Sequence, residues 1–283
     1  MTSERALPYL LLAPSLLFLA LLFLWPLGEA FLVAFSDPGG GWSLANFREM
    51  ADDLNFADAL TNTLLLVVVV VPLQLALALG LGVLLGCIDR GRDTFLYIWT
   101  IPLGISDLAA GIVWLAMLSE RGYLNSLLEA LGLVDGPVLW LSYETPVALF
   151  VAVVVAEVWR ATAIVLVILV AGMQLVPKEY YEAAEVFGAG AFQRFRRITL
   201  PLLKPSIQTA LILRTILAFE VFAVVVVLGG RDLPVLAGEA FAWQYDYQNA
   251  GVASAYAVLI LTVSLAATWL YLRLLRVREE SLA

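Results

Sequence analysis

The chain has 283 residues, 62% of them hydrophobic and 14% charged, with 16 basic against 24 acidic residues and a formal charge of −8. With a mean hydropathy of +0.93, this is the composition of a polytopic membrane protein, and it excludes a soluble globular domain. The acidic balance argues against nucleic acid as a ligand. A lone cysteine and the lack of histidine exclude an intrachain disulfide and argue against a zinc or haem site.

A bilayer crossing needs ~20 apolar residues. Six stretches qualify: 7–35, 59–88, 95–118, 146–173, 207–228 and 251–271, which together make one transmembrane domain over 1–283. The first run is too long for a signal-peptide core of ~7–15 residues, although Gly28-Glu29-Ala30 has the small-x-small form of a cleavage site, and it reads as a retained helix. Ser36 to Ala57 reads as a loop with a short helix capped by Ser43. In the second span Ala78, Gly82 and Gly86 form a small-xxx-small ladder that admits a neighbouring helix. Pro102-Leu103-Gly104 interrupts the third span, and Asp107 follows the break.

Ser119 to Thr145 reads as a loop with a turn at Asp135-Gly136-Pro137. The fourth span carries Glu157 and Arg160, and the fifth carries Arg214 and Glu220. Leu233 to Ala250 reads as a last outer loop whose Trp243, Tyr245 and Tyr247 suit a membrane interface. With the N-terminus inside, eleven basic residues fall in inner segments (Arg5, Arg90, Arg92, Lys178, Arg194, Arg196, Arg197, Lys204, Arg273, Arg276 and Arg278). Only Arg48, Arg121 and Arg231 fall outside. This bias predicts both termini in the cytoplasm.

The longest polar stretch, Pro177 to Pro205, then faces the cytoplasm. Pro177 and the early acids Glu179 and Glu182 suit a helix start, Gly188 suits a left-handed C-cap, and a second short helix over 191–197 is predicted to stop at Pro201. Tyr180, Ala183, Ala184 and Phe187 share one face, and Lys178, Glu182 and Glu185 share another.

Glu182-Ala183-Ala184, Gly188 six residues after that Glu, and Ile198-x-Leu200-Pro201 resemble the cytoplasmic loop signature of permease subunits of binding-protein-dependent ABC importers. Phe187 stands where many members carry Asp. Further stretches are similar to the sugar-type, maltose-permease-like branch. They are Ala13-Pro14 with Trp25-Pro26-Leu27, Asn46-Phe47, Asn62-Thr63, Val158-Trp159-Arg160, Gln174-x-x-Pro177, and Arg214-Thr215-Ile216 with Ala218-Phe219 and Phe222. Leu217 and Glu220 depart from that branch, where many members have Asp and Arg.

The resemblance implies a type I importer permease fold in the inner (cytoplasmic) membrane, with alternating access and no covalent chemistry in this chain. It implies a second homologous permease, a cytoplasmic ATPase dimer and an extracytoplasmic binding protein as partners. No cofactor is expected here. Neither Lys178 nor Lys204 follows a glycine, so a Walker A loop is absent and ATP and Mg belong to the ATPase. It also implies an ATPase-coupling role for Glu182, Ala183, Ala184, Gly188, Ile198, Leu200 and Pro201.

Intramembrane charges are costly and commonly face a bundle interior or a water-filled cavity. Glu157, Arg160, Arg214, Ala218 and Glu220 are therefore candidates for a substrate path. Against this stands a purely structural ion-pair cluster. For Glu182 the plain alternative is an acid at a helix start, worth ~0.3–1 kcal/mol. Trp99, Trp114, Trp159 and Tyr256 could stack on sugar rings, although aromatics in spans more commonly pack. Other importer substrates (amino acids, polyamines, glycerol phosphate, oxyanions) share the loop signature. A six-helix channel or membrane enzyme is the competing class, disfavoured by the absence of histidine and of a pore-lining repeat.

Overall fold

The computed structural model describes residues 3–275 other than Pro38, Cys87 and Asp89, with side chains from Tyr9 onward. Cys87, Arg276 and Arg278, used above, lie outside the described residues. The described chain is helical; its one β contact is an isolated bridge between Ser36 and Trp42. The helices are α1 (Ser3–Leu19), α2 (Trp25–Ala34), α3 (Ala45–Asp52), α4 (Phe56–Gly86), α5 (Arg92–Thr100), α6 (Asp107–Leu118), α7 (Tyr123–Ala130), α8 (Pro146–Gln174), α9 (Lys178–Val186), α10 (Ala191–Arg194), α11 (Leu200–Leu202), α12 (Lys204–Phe219), α13 (Ala223–Gly229), α14 (Leu236–Tyr245) and α15 (Ala250–Leu274).

Four helical stretches are long and apolar enough to cross a membrane: Tyr9–Ala34, α4, α8 and α15. Two bent pairs raise the number to six if each is one span. In the first pair, Arg92–Gly104 meets the helix starting at Asp107 at 100°. The third predicted span is thus sharply folded, because Ile101–Gly104 tightens into a 3-10 turn and Ser106 starts a new helix by capping the amide of Ala109. In the second pair, Ala191–Leu202 meets α12 at 66°.

Pro201 does not stop its helix as expected; the bend comes at Leu203. A π turn over Phe195–Thr199 widens the helix just before Pro201, where the ring and the missing N–H would otherwise break the ladder. The same device, a π turn over Ala20–Leu24, precedes Pro26 between α1 and α2. The fifth predicted span, 207–228, starts earlier, at Lys204, and is broken at 220–222 between α12 and α13.

The chain divides into two compact units. The first comprises Met1–Ala57 and Ala237–Thr262. In it Asn46 donates to the carbonyls of Val33, Ala34 and Ser36, closing the end of α2. Helix α3 begins one residue later than expected; Ser43 accepts from the amide of Ala45. Segment 233–250, expected to be a plain loop, contains α14. Trp243 is no free interface anchor: its Nε1 donates to Asp53 Oδ2 at 2.7 Å. The Tyr256 hydroxyl donates to the same oxygen at 2.9 Å, and Tyr256 is fully buried.

The second unit comprises Asp58–Leu236 and Val263–Ala283, with α8 at its centre. One apolar core gathers Leu66 and Val70 of α4, Leu149 and Val153 of α8, and Val224 and Val225 of α13. A second gathers Ala78 and Leu85, Leu166 and Leu169, and Leu203 and Ile207. Small residues set the helix spacing. At Gly172 of α8 an added Cβ would come within 2.8 Å of Ser206 Cβ and 3.0 Å of Leu203 Cδ2. Of the predicted ladder, Ala78 and Gly82 are buried, whereas nothing crowds Gly86.

Outside the cores, Asn125 is 3% exposed and ties the 119–140 segment together. It donates to the carbonyls of Ser119, Glu120 and Val138 and accepts from Trp140 Nε1. Asn62 donates to Pro234 O, and Thr63 accepts from the amide of Leu236.

Candidate functional site

Two sites emerge, both in the second unit. The first is a string of charged and polar side chains through the packed helices. Arg214 of α12 and Glu157 of α8 are each 1% exposed and meet at 2.7 Å, Nη2 to Oε2. Arg214 Nε donates to Gln74 Oε1 at 2.6 Å, and Gln74, fully buried on α4, donates through Nε2 to the Glu157 carbonyl at 2.9 Å. Glu157 also faces Arg160 Nη2, one helical turn on, at 3.4 Å. Arg160 Nη1 reaches Asp107 Oδ1 at 2.7 Å.

The string therefore runs from a sealed inner end to an open outer end. Its last side chains, Arg160 and Asp107, are 17% and 51% exposed. Two guanidinium groups face two carboxylates, so the formal charge is zero. Burial of two charges is tolerable only when they are paired and hydrogen-bonded. Satisfaction is incomplete: among the described residues Arg214 Nη1, Arg160 Nε and Trp114 Nε1 have no hydrogen-bond partner.

The predicted path residues separate. Glu157, Arg160 and Arg214 come together. Glu220 does not join them: it is exposed at the C-terminal boundary of α12, and no ion pair joins it to Arg214 among the described residues. Ala218 is 2% exposed. Gln74 and Asp107 belong to the string and were missed as site residues. An uncharged amide in a Leu/Val-rich span and an acid at a helix start carry weak signals, although a polar residue amid apolar ones in a span is itself a pointer. Of the aromatic candidates, Tyr256 cannot stack on a ligand, since its ring is enclosed and its hydroxyl is taken by Asp53. Trp99 packs on Phe95, and Trp114 meets Trp159 edge to face at 6.1 Å.

The second site is the polar loop. Helix α9 ends in a Schellman motif: Gly188, at φ +73°, donates to Glu185 O, and Ala189 donates to Ala184 O. The expected left-handed glycine is thus in place. Glu182 and Ala183 are exposed and Ala184 is half-buried. The expected apolar face is turned outward, with Tyr180 54% and Phe187 89% exposed. Instead Tyr181 holds the helix to the next segment through Thr199 Oγ1 at 3.0 Å. Glu185 is ion-paired with Arg194, which locks α9 onto α10. Ile198 and Leu200 are half-buried in the turn that leads into Pro201.

Residues 5–277 match the family model described as binding-protein-dependent transport system inner membrane component. The chain belongs to this family. As an inner membrane component with several apolar helices, it is a multi-pass membrane protein.

Among its relatives is the sulfoquinovosyl glycerol transport system permease protein of Agrobacterium fabrum, 32% identical over 293 residues that span 98% of this permease and 92% of the relative. The trehalose/maltose transport system permease protein of Thermococcus litoralis is 37% identical over 195 residues, 68% of this chain and 65% of the relative. The fold is that of a chain in a bacterial ABC transporter involved in the import of the acidic polysaccharide alginate. The TM-score is 0.83 at 22% identity, over 96% of both chains.

Proposed function

We propose that this permease forms, with a second homologous permease, the translocation path of an ATP-driven importer for a sugar or oligosaccharide. A cytoplasmic ATPase dimer binds the ATP and Mg, an extracytoplasmic binding protein delivers the substrate, and no catalysis or cofactor resides in this chain. The observation that carries the reading is the similarity to a permease named for sulfoquinovosyl glycerol transport over nearly the full length, and to one named for trehalose/maltose transport over about two thirds of it, within a family defined by dependence on a binding protein.

In this reading residues 1–283 form one transmembrane domain of six spans with both termini in the cytoplasm. The basic-residue bias supports it, as do the four long apolar helices, with the first bent pair as the third span and α12 with α13 as the fifth. The exposed face of α9, with Glu182 and Ala183 outward and Ala184 beneath, docks on the ATPase, while Gly188 and the Ile198–Pro201 segment set its angle. The outer end of the charge string, Arg160 with Asp107, borders the substrate path, and Glu157 and Arg214 hold it from behind. Ala218 and Glu220 flank that path at the end of α12. A site of zero formal charge suits a neutral, hydroxyl-rich solute better than an oxyanion or a polyamine.

The test is ligand binding by the partner binding protein, followed by hydrolysis in the reconstituted complex. Calorimetry should show a sugar or oligosaccharide bound, and the loaded binding protein should stimulate ATP hydrolysis. Binding of amino acids or polyamines with no sugar bound would reject the substrate class. A complex that purifies without an ATPase would reject the importer.

A further inference from the structure

A cavity of about 500 Å³ opens in the second unit where the C-terminal ends of α4 and α8 meet α9 and α10. Three cations line it: Arg92 at the start of α5, Lys178 at the start of α9, and Arg194 at the end of α10. Among the described residues no carboxylate lines it. Arg194 is balanced by Glu185, while among the described residues Arg92 and Lys178 have no ion-pair partner. Among the described residues, two positive charges are therefore left without an ion-pair partner at the mouth of a space of ligand size.

The polar wall adds the hydroxyls of Tyr181 and Thr199; one donates to the other, which leaves one hydroxyl hydrogen for an oxyanion. Part of the wall is apolar: Val83 of α4, Met173 of α8 and Phe195 of the π turn. An inorganic anion would use the cations and leave this part without a partner. A molecule with a phosphate at one end and hydrocarbon at the other satisfies both parts.

We infer that this cavity binds the phosphate-bearing headgroup of an anionic phospholipid, with Arg92 and Lys178 as the phosphate contacts and the Val83–Met173–Phe195 wall against the first acyl carbons. The inference goes beyond the transport reading and takes from it only that this end of α4 and α8 lies at the cytoplasmic surface. Basic pockets between spans on that side are suited to such headgroups. A bound lipid would touch α4, α8, α9 and the π turn at once, and so would brace the base of the polar loop.

The experiment is native mass spectrometry of the full chain, purified with its partner subunits and exchanged into defined phosphatidylglycerol or phosphatidylcholine. Wild type should retain phosphatidylglycerol in preference to phosphatidylcholine. Each cation near a membrane surface contributes about fivefold in affinity, so Arg92→Gln with Lys178→Gln should weaken retention about 25-fold. Arg196→Gln, on an exposed residue outside the cavity, should leave it unchanged. Lys178→Gln alone replaces an exposed side chain and should still cost about fivefold, so it decides the matter if the double variant fails to assemble. Equal retention of both lipids, or unchanged retention in Lys178→Gln, overturns the inference. Displacement of phosphatidylglycerol from wild type by excess inorganic phosphate would assign the cavity to a free phosphate and overturn the lipid. These outcomes do not depend on the transported substrate, so they are separable from failure of the importer reading.

Discussion

Arg214 sits where a charge is hardest to keep. Its side chain is 1% exposed, and it meets Glu157 and Gln74 from two other helices. Removing one member of a buried pair strands the other, at ~3–5 kcal/mol, which is a large share of the stability of any domain. Arg214→Ala and Glu157→Ala should therefore each lower the yield of assembled complex, measured by gel filtration after mild solubilisation. Replacing both with apolar residues of similar volume (Arg214→Met with Glu157→Leu) should restore much of it, since no uncompensated charge is left. Restored assembly without restored transport would assign the pair to function as well as to packing. Gln74→Leu leaves Arg214 Nε unpaired and should cost ~1–3 kcal/mol. Arg160 differs because its head is partly exposed and its acid, Asp107, is half in the open. Arg160→Gln should assemble like wild type yet transport poorly in proteoliposomes. Full transport by that variant would remove Arg160 from the proposed path.

At the scale of elements, the junction of α9 and α10 depends on one backbone conformation. Gly188 holds φ +73°, where a side chain costs ~1–2 kcal/mol, and it closes the C-terminus of α9. Gly188→Ala should loosen the angle between α9 and α10 and reduce ATP-driven transport, whereas Gly188→Asn, which tolerates that region, should retain more of it. Equal transport by the two variants would show that this geometry carries no coupling. Glu182→Ala removes an exposed carboxylate from a helix that keeps its packing, so insertion should be unaffected while stimulation of hydrolysis by the loaded binding protein falls. Glu185 is not a neutral comparison for that variant, because it is ion-paired with Arg194; Glu179, exposed in the first turn, is the better one. The left-handed cap was legible because glycine at that spacing has few other uses. The tilt of α9 was not: Tyr180 and Phe187 form an apolar stripe in the sequence, yet this chain turns the stripe outward. Periodicity identifies a face that will be covered but not which molecule covers it.

For the molecule as a whole, long apolar runs fixed α4, α8 and α15 to within a few residues, since nothing else accounts for 25–31 residues of such hydropathy. The spans with breaks were harder to read. Composition says that 95–118 and 207–228 are apolar enough, and Pro102-Leu103-Gly104 marks a break, but neither gives the 100° angle of the fold after Gly104 nor the interruption at 220–222, beyond which Val227 of α13 lies against Gly111 of α6. Hydropathy counts residues and is blind to direction. The proposed orientation rests instead on eleven basic residues against three, a bias that sets topology mainly through short loops. It can be tested on the whole chain. With Cys87 replaced, single cysteines at Asp135 and Asp246 occupy exposed positions of segments proposed to be outside, and cysteines at Glu179 and Gln193 occupy exposed positions of the polar loop. An impermeant maleimide added to intact cells should label the first two and spare the last two, and permeabilisation should expose all four. Because all four sites are exposed, lack of labelling reports the membrane and not burial. Labelling of Glu179→Cys or Gln193→Cys in intact cells would place the α9–α10 loop outside, where no ATPase can reach it, and the proposed coupling through Glu182 would fall with the topology.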